Sequence, residues 1–250
     1  MTSPLPAARC ELETSDGIRL AARRWDAAGD ARAAVVLVHG FAGSSDEPRV
    51  VALAEALSAS GHTVLACDAR GHGASGGGTT LGDLERHDVA VAVKELASER
   101  VPLVVVGESM GAIAVLWHVT NDPEHVDGVV LVSCTSRWRL PLNLRGVLAA
   151  LVTQTPVGRW IARQHMHVRI AKGGTRPPPP IEMVRGLRVP VALVHGRRDP
   201  FIRPSDAEEL FAAASEPRRL VLVDSMGHSF EPSAVEPIVD AIEWVLAARS

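Results

Sequence analysis

The chain has 250 residues, 22% of them charged, and a net charge of −3. That length suits one α/β domain with an insertion and a core that needs no stapling, and the near-balanced charge gives no reason to expect a nucleic-acid partner. No apolar run is long enough to cross a bilayer. The three scattered cysteines, Cys10, Cys67 and Cys134, argue against a disulfide framework and fit a reducing, cytoplasmic compartment.

Read in order, Glu11 to Trp25 predicts a hairpin, because two alternating stretches flank Ser15-Asp16-Gly17. The opening residues Met1 to Pro6 show no basic region followed by an apolar run, so no secretion signal is expected. Ala33 to Val38 predicts a buried strand running into the glycine-rich His39-Gly40-Phe41-Ala42-Gly43. A helix over Pro48 to Ser60 and a strand over Thr63 to Cys67 follow, the strand ending in Asp68-Ala69-Arg70-Gly71-His72-Gly73-Ala74-Ser75. Leu81 to Glu99 has helical spacing at Leu84, Val89, Val93 and Leu96. Leu103 to Val106 then predicts a strand, Ala112 to Val119 a helix, and between them stands Gly107-Glu108-Ser109-Met110-Gly111.

Gly-x-Ser-x-Gly between a strand and a helix places its serine on a tight, strained turn at the sheet edge. The glycines flank it because a Cβ there collides across the turn. The helix N-terminus aims free N–H groups at the same point, which suits a developing anion.

Val126 to Ser133 predicts another strand, after which the alternation stops. Residues 135–188 show no clear strand, a loose helical pattern near Val147 to Val152, and the run Pro177-Pro178-Pro179-Pro180. This segment holds ten basic residues against one acid, Glu182, a net +9, leaving −12 on the rest of the chain. Such asymmetry fits recruitment of an anionic carrier, coenzyme A ester, lipid surface or carboxylate-bearing substrate, and it also fits pairing between insert and body or high arginine usage throughout the chain. Trp138, Leu140, Leu142, Leu148, Leu151, Trp160 and Met166 supply apolar surface for an acyl pocket or for packing the insert down. His165 and His167 lack further metal ligands, so no metal or cofactor is expected.

Alternation resumes at Val189 to Val194, a strand ending in His195-Gly196-Arg197-Arg198-Asp199. Ser205 to Ala214 is helical, with Ser205 as a candidate N-cap. Leu220 to Val223 is the last strand, followed by Asp224-Ser225-Met226-Gly227-His228, and Ser233 to Arg249 is a closing helix. The expected fold is α/β, a mostly parallel central sheet with helices on both faces. Residues 1–134 and 189–250 form one core, with 135–188 as a lid inserted in a single domain.

These motifs, in this order and near this spacing, resemble the α/β-hydrolase superfamily over essentially the whole chain. Within it the chain looks most like the monoacylglycerol lipase, esterase and lysophospholipase group. The resemblance implies a catalytic triad in the order Ser109, Asp199, His228, each after a strand. Asp206 and Asp224 compete as the acid, but the first lies inside a helical pattern and the second sits close to His228 in sequence. His39, His72 and His195 read as loop braces. The resemblance also assigns the oxyanion hole to the backbone N–H groups of Phe41 and Met110, and it implies substrate contact by Phe41, Trp138 and Trp160.

The implied reaction is carboxylic-ester hydrolysis through an acyl-enzyme, with thioester cleavage on coenzyme A or a carrier as the alternative and amide cleavage third. Carbon–carbon bond hydrolysis and haloperoxidase side reactions stay open. Dehalogenase and epoxide hydrolase chemistry is disfavoured because the turn carries Ser109 and not an aspartate.

Overall fold

The computed structural model describes residues 7–138, 144–172 and 175–249. Eight strands form one sheet in the order β1-β2-β4-β3-β5-β6-β7-β8, with ranges β1 Ala8–Glu13, β2 Arg19–Trp25, β3 Ala33–Val38, β4 His62–Cys67, β5 Leu103–Glu108, β6 Gly128–Val132, β7 Val191–Gly196 and β8 Arg218–Val223. The β1-β2 hairpin and the β2-β4 pair are antiparallel, and every other pair is parallel.

The strand sequences explain the layers. In β5, Leu103 and Val105 face one core while Val104 and Val106 face the other. In β3, Ala34, Val36 and Val38 alternate with Val35 and Leu37 in the same way. Side chains alternate across a strand, so a run apolar at every position must be covered on both faces. One cover is α2 Glu85–Leu96, α3 Met110–Asn121, α6 Pro180–Met183 and α7 Pro204–Ala213. The other is α1 Pro48–Ala59 and α8 Val235–Ala247. Each fully buried Val or Leu contributes about 1.5–3 kcal/mol.

Of the expected boundaries that move, three have a local cause. The helix expected from Leu81 starts at Glu85, because Leu81 (φ 63°) and Gly82 (φ 106°) are left-handed. The Glu85 carboxylate holds that turn, accepting from Thr79 Oγ1, Thr80 N and Oγ1, and Gly82 N. Ser205 is not a cap: α7 begins at Pro204 with Arg203 before it, since proline is preorganised for the first helical position. The closing helix starts at Val235, after a single tight turn at Pro232–Ala234.

Between β6 and β7 the chain inserts α4 Leu144–Gln154 and α5 Pro156–His165 before α6. Thr155 caps α5, its hydroxyl accepting from Gly158 N at 2.9 Å, and Pro156 follows at the first position. Val147, Leu148, Leu151, Val157 and Trp160 are exposed. Leu140 and Leu142 lie outside the described residues, as do Met1 to Pro6. Among the described residues no helix is long and apolar enough to cross a membrane.

Candidate active site

The C-terminal ends of the parallel strands all point to one edge, where α/β sheets carry their sites. Ser109 stands at the end of β5 with φ 51° and ψ −111°. A non-glycine residue in that region costs about 1–3 kcal/mol, and such strain concentrates at functional turns. The turn is held by Ser109 N–H to Val132 C=O at 2.9 Å. A Cβ on Gly107 would stand 2.7 Å from Ala112 Cα, and one on Gly111 would collide with the Val38 carbonyl oxygen. Glycine at both positions lets α3 start against β3 and β5.

Asp199 follows β7 and His228 follows β8. Asp199 Oδ2 lies 2.7 Å from His228 Nδ1, and the carboxylate side chain is fully buried while the imidazole is 19% exposed. Asp199 Oδ1 accepts from Phe201 N at 2.8 Å and Ile202 N at 2.9 Å. Burial opposes its charge, but the His228 bond and these two N–H groups outweigh burial and hold the carboxyl below its usual range. The two loops are laced by Arg197 N–H to Val223 C=O and Arg198 N–H to Met226 C=O, both at 3.0 Å. Asp206 instead sits in α7 and accepts from Ser136 N and Oγ, and Asp224 is an exposed partner of Arg197 at 2.9 Å.

The Asp199 contact gives His228 Nδ1 the proton and leaves Nε2 as acceptor. Among the described residues Ser109 Oγ is not hydrogen-bonded to the imidazole, a contact that commonly tightens only with substrate bound. The backbone N–H groups of Phe41 and Met110 have no acceptor among the described residues. Phe41 packs edge-on against His72 at 5.8 Å. Trp138 is half-buried against the core, its Nε1 donating to Pro177 C=O at 3.0 Å. Trp160 lies on the outer face of α5, 59% exposed, with its ring edge-on to His165 at 6.4 Å.

The bracing histidines behave as expected. Ala69 N donates to His39 Nε2 at 2.9 Å. Burial, then the neighbouring His39, push the His72 imidazole down to about 4. His195 Nε2 lies 3.1 Å from Ile202 C=O and 3.7 Å from Asp199 Oδ2, so it supports the acid loop from below.

Glu108, Ser229 and Phe201 carry structure at the site that the sequence reading passed over. Phe201 is 48% exposed and packs its ring edge-on against His228 at 5.2 Å. Glu108 is buried at the end of β5, close to Ser229, the residue after His228. Ser229 is itself left-handed, with φ 89°. Burial pushes the Glu108 carboxyl up. A carboxyl raised on folding contributes stability that is full below its unfolded value and is lost as pH rises through the folded one. Glu108→Gln keeps the shape of the side chain and removes the charge. Its thermal midpoint should exceed wild type by more at pH 8 than at pH 4.5; an equal difference at both would contradict a buried charge.

A model of the family described as serine aminopeptidase, S33, matches residues 29–183. The chain belongs to the serine aminopeptidase S33 family of α/β-hydrolases. An uncharacterized protein of Mycobacterium tuberculosis is 30% identical, over 98% of this chain and 81% of its own length. A monoacylglycerol lipase of Mycolicibacterium smegmatis is 34% identical over 46% of this chain and 42% of its own. In structure, an esterase of Pyrococcus furiosus superposes with a TM-score of 0.74 at 21% identity, covering 96% of this chain and 91% of that one. Membership of the S33 family makes the chain a hydrolase of the α/β-hydrolase fold, in agreement with the resemblance in its motifs.

Proposed function

We propose that this S33-family member is a serine carboxylic-ester hydrolase working through an acyl-enzyme. The observation that carries the reading is the pairing of a strained Ser109 at φ 51° with a buried Asp199–His228 contact of 2.7 Å on the same sheet edge. In the first half-reaction Ser109 Oγ bonds to the acyl carbon as its proton passes to His228 Nε2. Asp199 stabilises the imidazolium, and the oxyanion lies between the N–H groups of Phe41 and Met110. The proton then goes to the departing alcohol oxygen as the carbon–oxygen bond breaks. In the second, water attacks the acyl carbon, gives its proton to His228, and releases the acid as Ser109 recovers its hydrogen.

Residues 135–188 act as a lid on a single domain, and Phe41 and Trp138 contact the acyl or alcohol part, whereas Trp160, exposed on the outer face of α5, does not reach it. The named activities of the relatives, monoacylglycerol lipase and esterase, favour an oxygen ester. The three cysteines are free, which supports a cytoplasmic setting.

The test compares p-nitrophenyl butyrate with butyryl coenzyme A at low and high salt. The expected result is faster turnover of the oxygen ester with little salt dependence. Preferential turnover of the thioester, depressed by salt, would make the protein a thioesterase recruited by charge through its basic insert.

A further inference from the structure

A cleft of about 190 Å³ opens between the Gly73 turn and the end of α5, lined by Gly73, Arg163, His167 and Arg169. A single water needs only about 10–15 Å³ by this kind of measure, so the cleft has room for a polyatomic group. Among the described residues its walls hold two arginines and a histidine and no acid. Neither Arg163 nor His167 has an acidic partner among the described residues.

The cleft is built by main-chain stitching. Arg169 N donates to Gly71 C=O at 2.7 Å, Thr79 N to Arg169 C=O at 2.7 Å, and Ala171 N to Thr79 C=O at 2.9 Å. The Arg169 guanidinium donates through Nε to Gly77 C=O at 3.1 Å and through Nη2 to Ser75 C=O. Among the described residues its Nη1 is left over. Gly73, at φ 45°, forms the floor, and a Cβ there would strike Asp68 Oδ2. That buried carboxylate is already held by Ser45 N at 2.6 Å and Ala74 N at 2.9 Å, so its charge is answered from its own side of the turn.

Like charges gathered without counter-charge repel one another, and a bound anion removes that repulsion. Guanidinium groups match carboxylate and phosphate oxygens in pairs. The cleft also neighbours the catalytic edge, since Gly73 follows His72, whose ring packs on Phe41.

We propose that this cleft binds a carboxylate or phosphate group, and that under the esterase reading it receives the anionic end of the substrate. Binding itself does not depend on that reading; only the link to substrate does.

Two measurements test it. Isothermal titration with inorganic phosphate at low ionic strength reads the site without turnover. Binding should weaken about tenfold in Arg163→Glu and measurably in His167→Gln, while Arg9→Glu on β1 should bind as wild type does. The second measurement is the ratio of kcat/KM for p-nitrophenyl hydrogen glutarate to that for p-nitrophenyl butyrate. A fall of about tenfold in that ratio in Arg163→Glu supports a substrate-borne anion. Phosphate binding lost in Arg163→Glu with the ratio unchanged supports the same site serving a free anion. No phosphate binding by the wild type, or binding indifferent to both Arg163→Glu and His167→Gln, overturns the proposal. Turnover of the neutral butyrate ester reports separately on the esterase reading.

Discussion

Ser109→Ala is expected to lower kcat/KM for p-nitrophenyl butyrate by about 10⁴-fold or more with almost no change in thermal midpoint. The two halves of this expectation have separate causes. Under the proposed mechanism the hydroxyl oxygen is the atom that bonds to the acyl carbon, and alanine offers nothing in its place. For stability, Ser109 Oγ makes no hydrogen bond among the described residues, so its removal leaves no partner stranded. Alanine keeps a Cβ and therefore keeps the strain at φ 51°. Ser109→Gly is equally inactive in this account, but releases that strain and should be more stable than Ser109→Ala by about 1 kcal/mol. Retained turnover in Ser109→Ala, checked against contaminating esterase by a second purification, would remove the serine from the chemistry.

Asp199→Asn should lower kcat by about 10³–10⁴-fold without displacing the loop. The argument rests on the two N–H groups, Phe201 N and Ile202 N, that donate to Oδ1. In an asparagine they demand the carbonyl oxygen, which fixes the amide and turns its NH₂ toward His228 Nδ1. The imidazole must then accept at Nδ1 and carry its proton on Nε2. The group that should take the Ser109 proton becomes a donor. Stability should fall only modestly at neutral pH, because the N–H partners remain satisfied. The pH profile also has a sign. Asp199 is held below its usual range on folding, so its contribution is present above the unfolded value near 3.8 and is lost as pH falls through the lower folded one. The stability gap between wild type and Asp199→Asn should therefore narrow in acid.

Much of this site was legible before any coordinates. The run Leu103 to Val106 is apolar at every position, and only a strand covered on both faces uses such a run. Gly107 and Gly111 bracket Ser109 because the turn leaves no space for a Cβ, a constraint that writes itself directly into residue type. The resemblance in motif order singles out Asp199 and His228, and the structure brings that pair into contact. What stayed hidden has no local signature. Glu108 occupies a variable position of its motif, and only the fold brings it close to Ser229 in a distant loop. Leu81 has the right polarity for a helix, yet the Glu85 carboxylate holds the turn before α2 and delays its start. Ser205 looked like a cap, but Pro204 claimed the first helical position. The basic residues of the insert could be counted in the sequence. That Arg163, His167 and Arg169 share one cleft follows from stitching between residues about ninety positions apart, such as Arg169 and Gly77, and spacing along the chain does not encode it.

The central claim is that the hydroxyl of Ser109 becomes covalently acylated. The most direct measurement is reaction with a fluorophosphonate probe followed by intact mass and peptide mapping. The account predicts one adduct per chain, on Ser109, absent in Ser109→Ala and much slower to form in Asp199→Asn. An unmodified protein, or an adduct on any other residue, would contradict it.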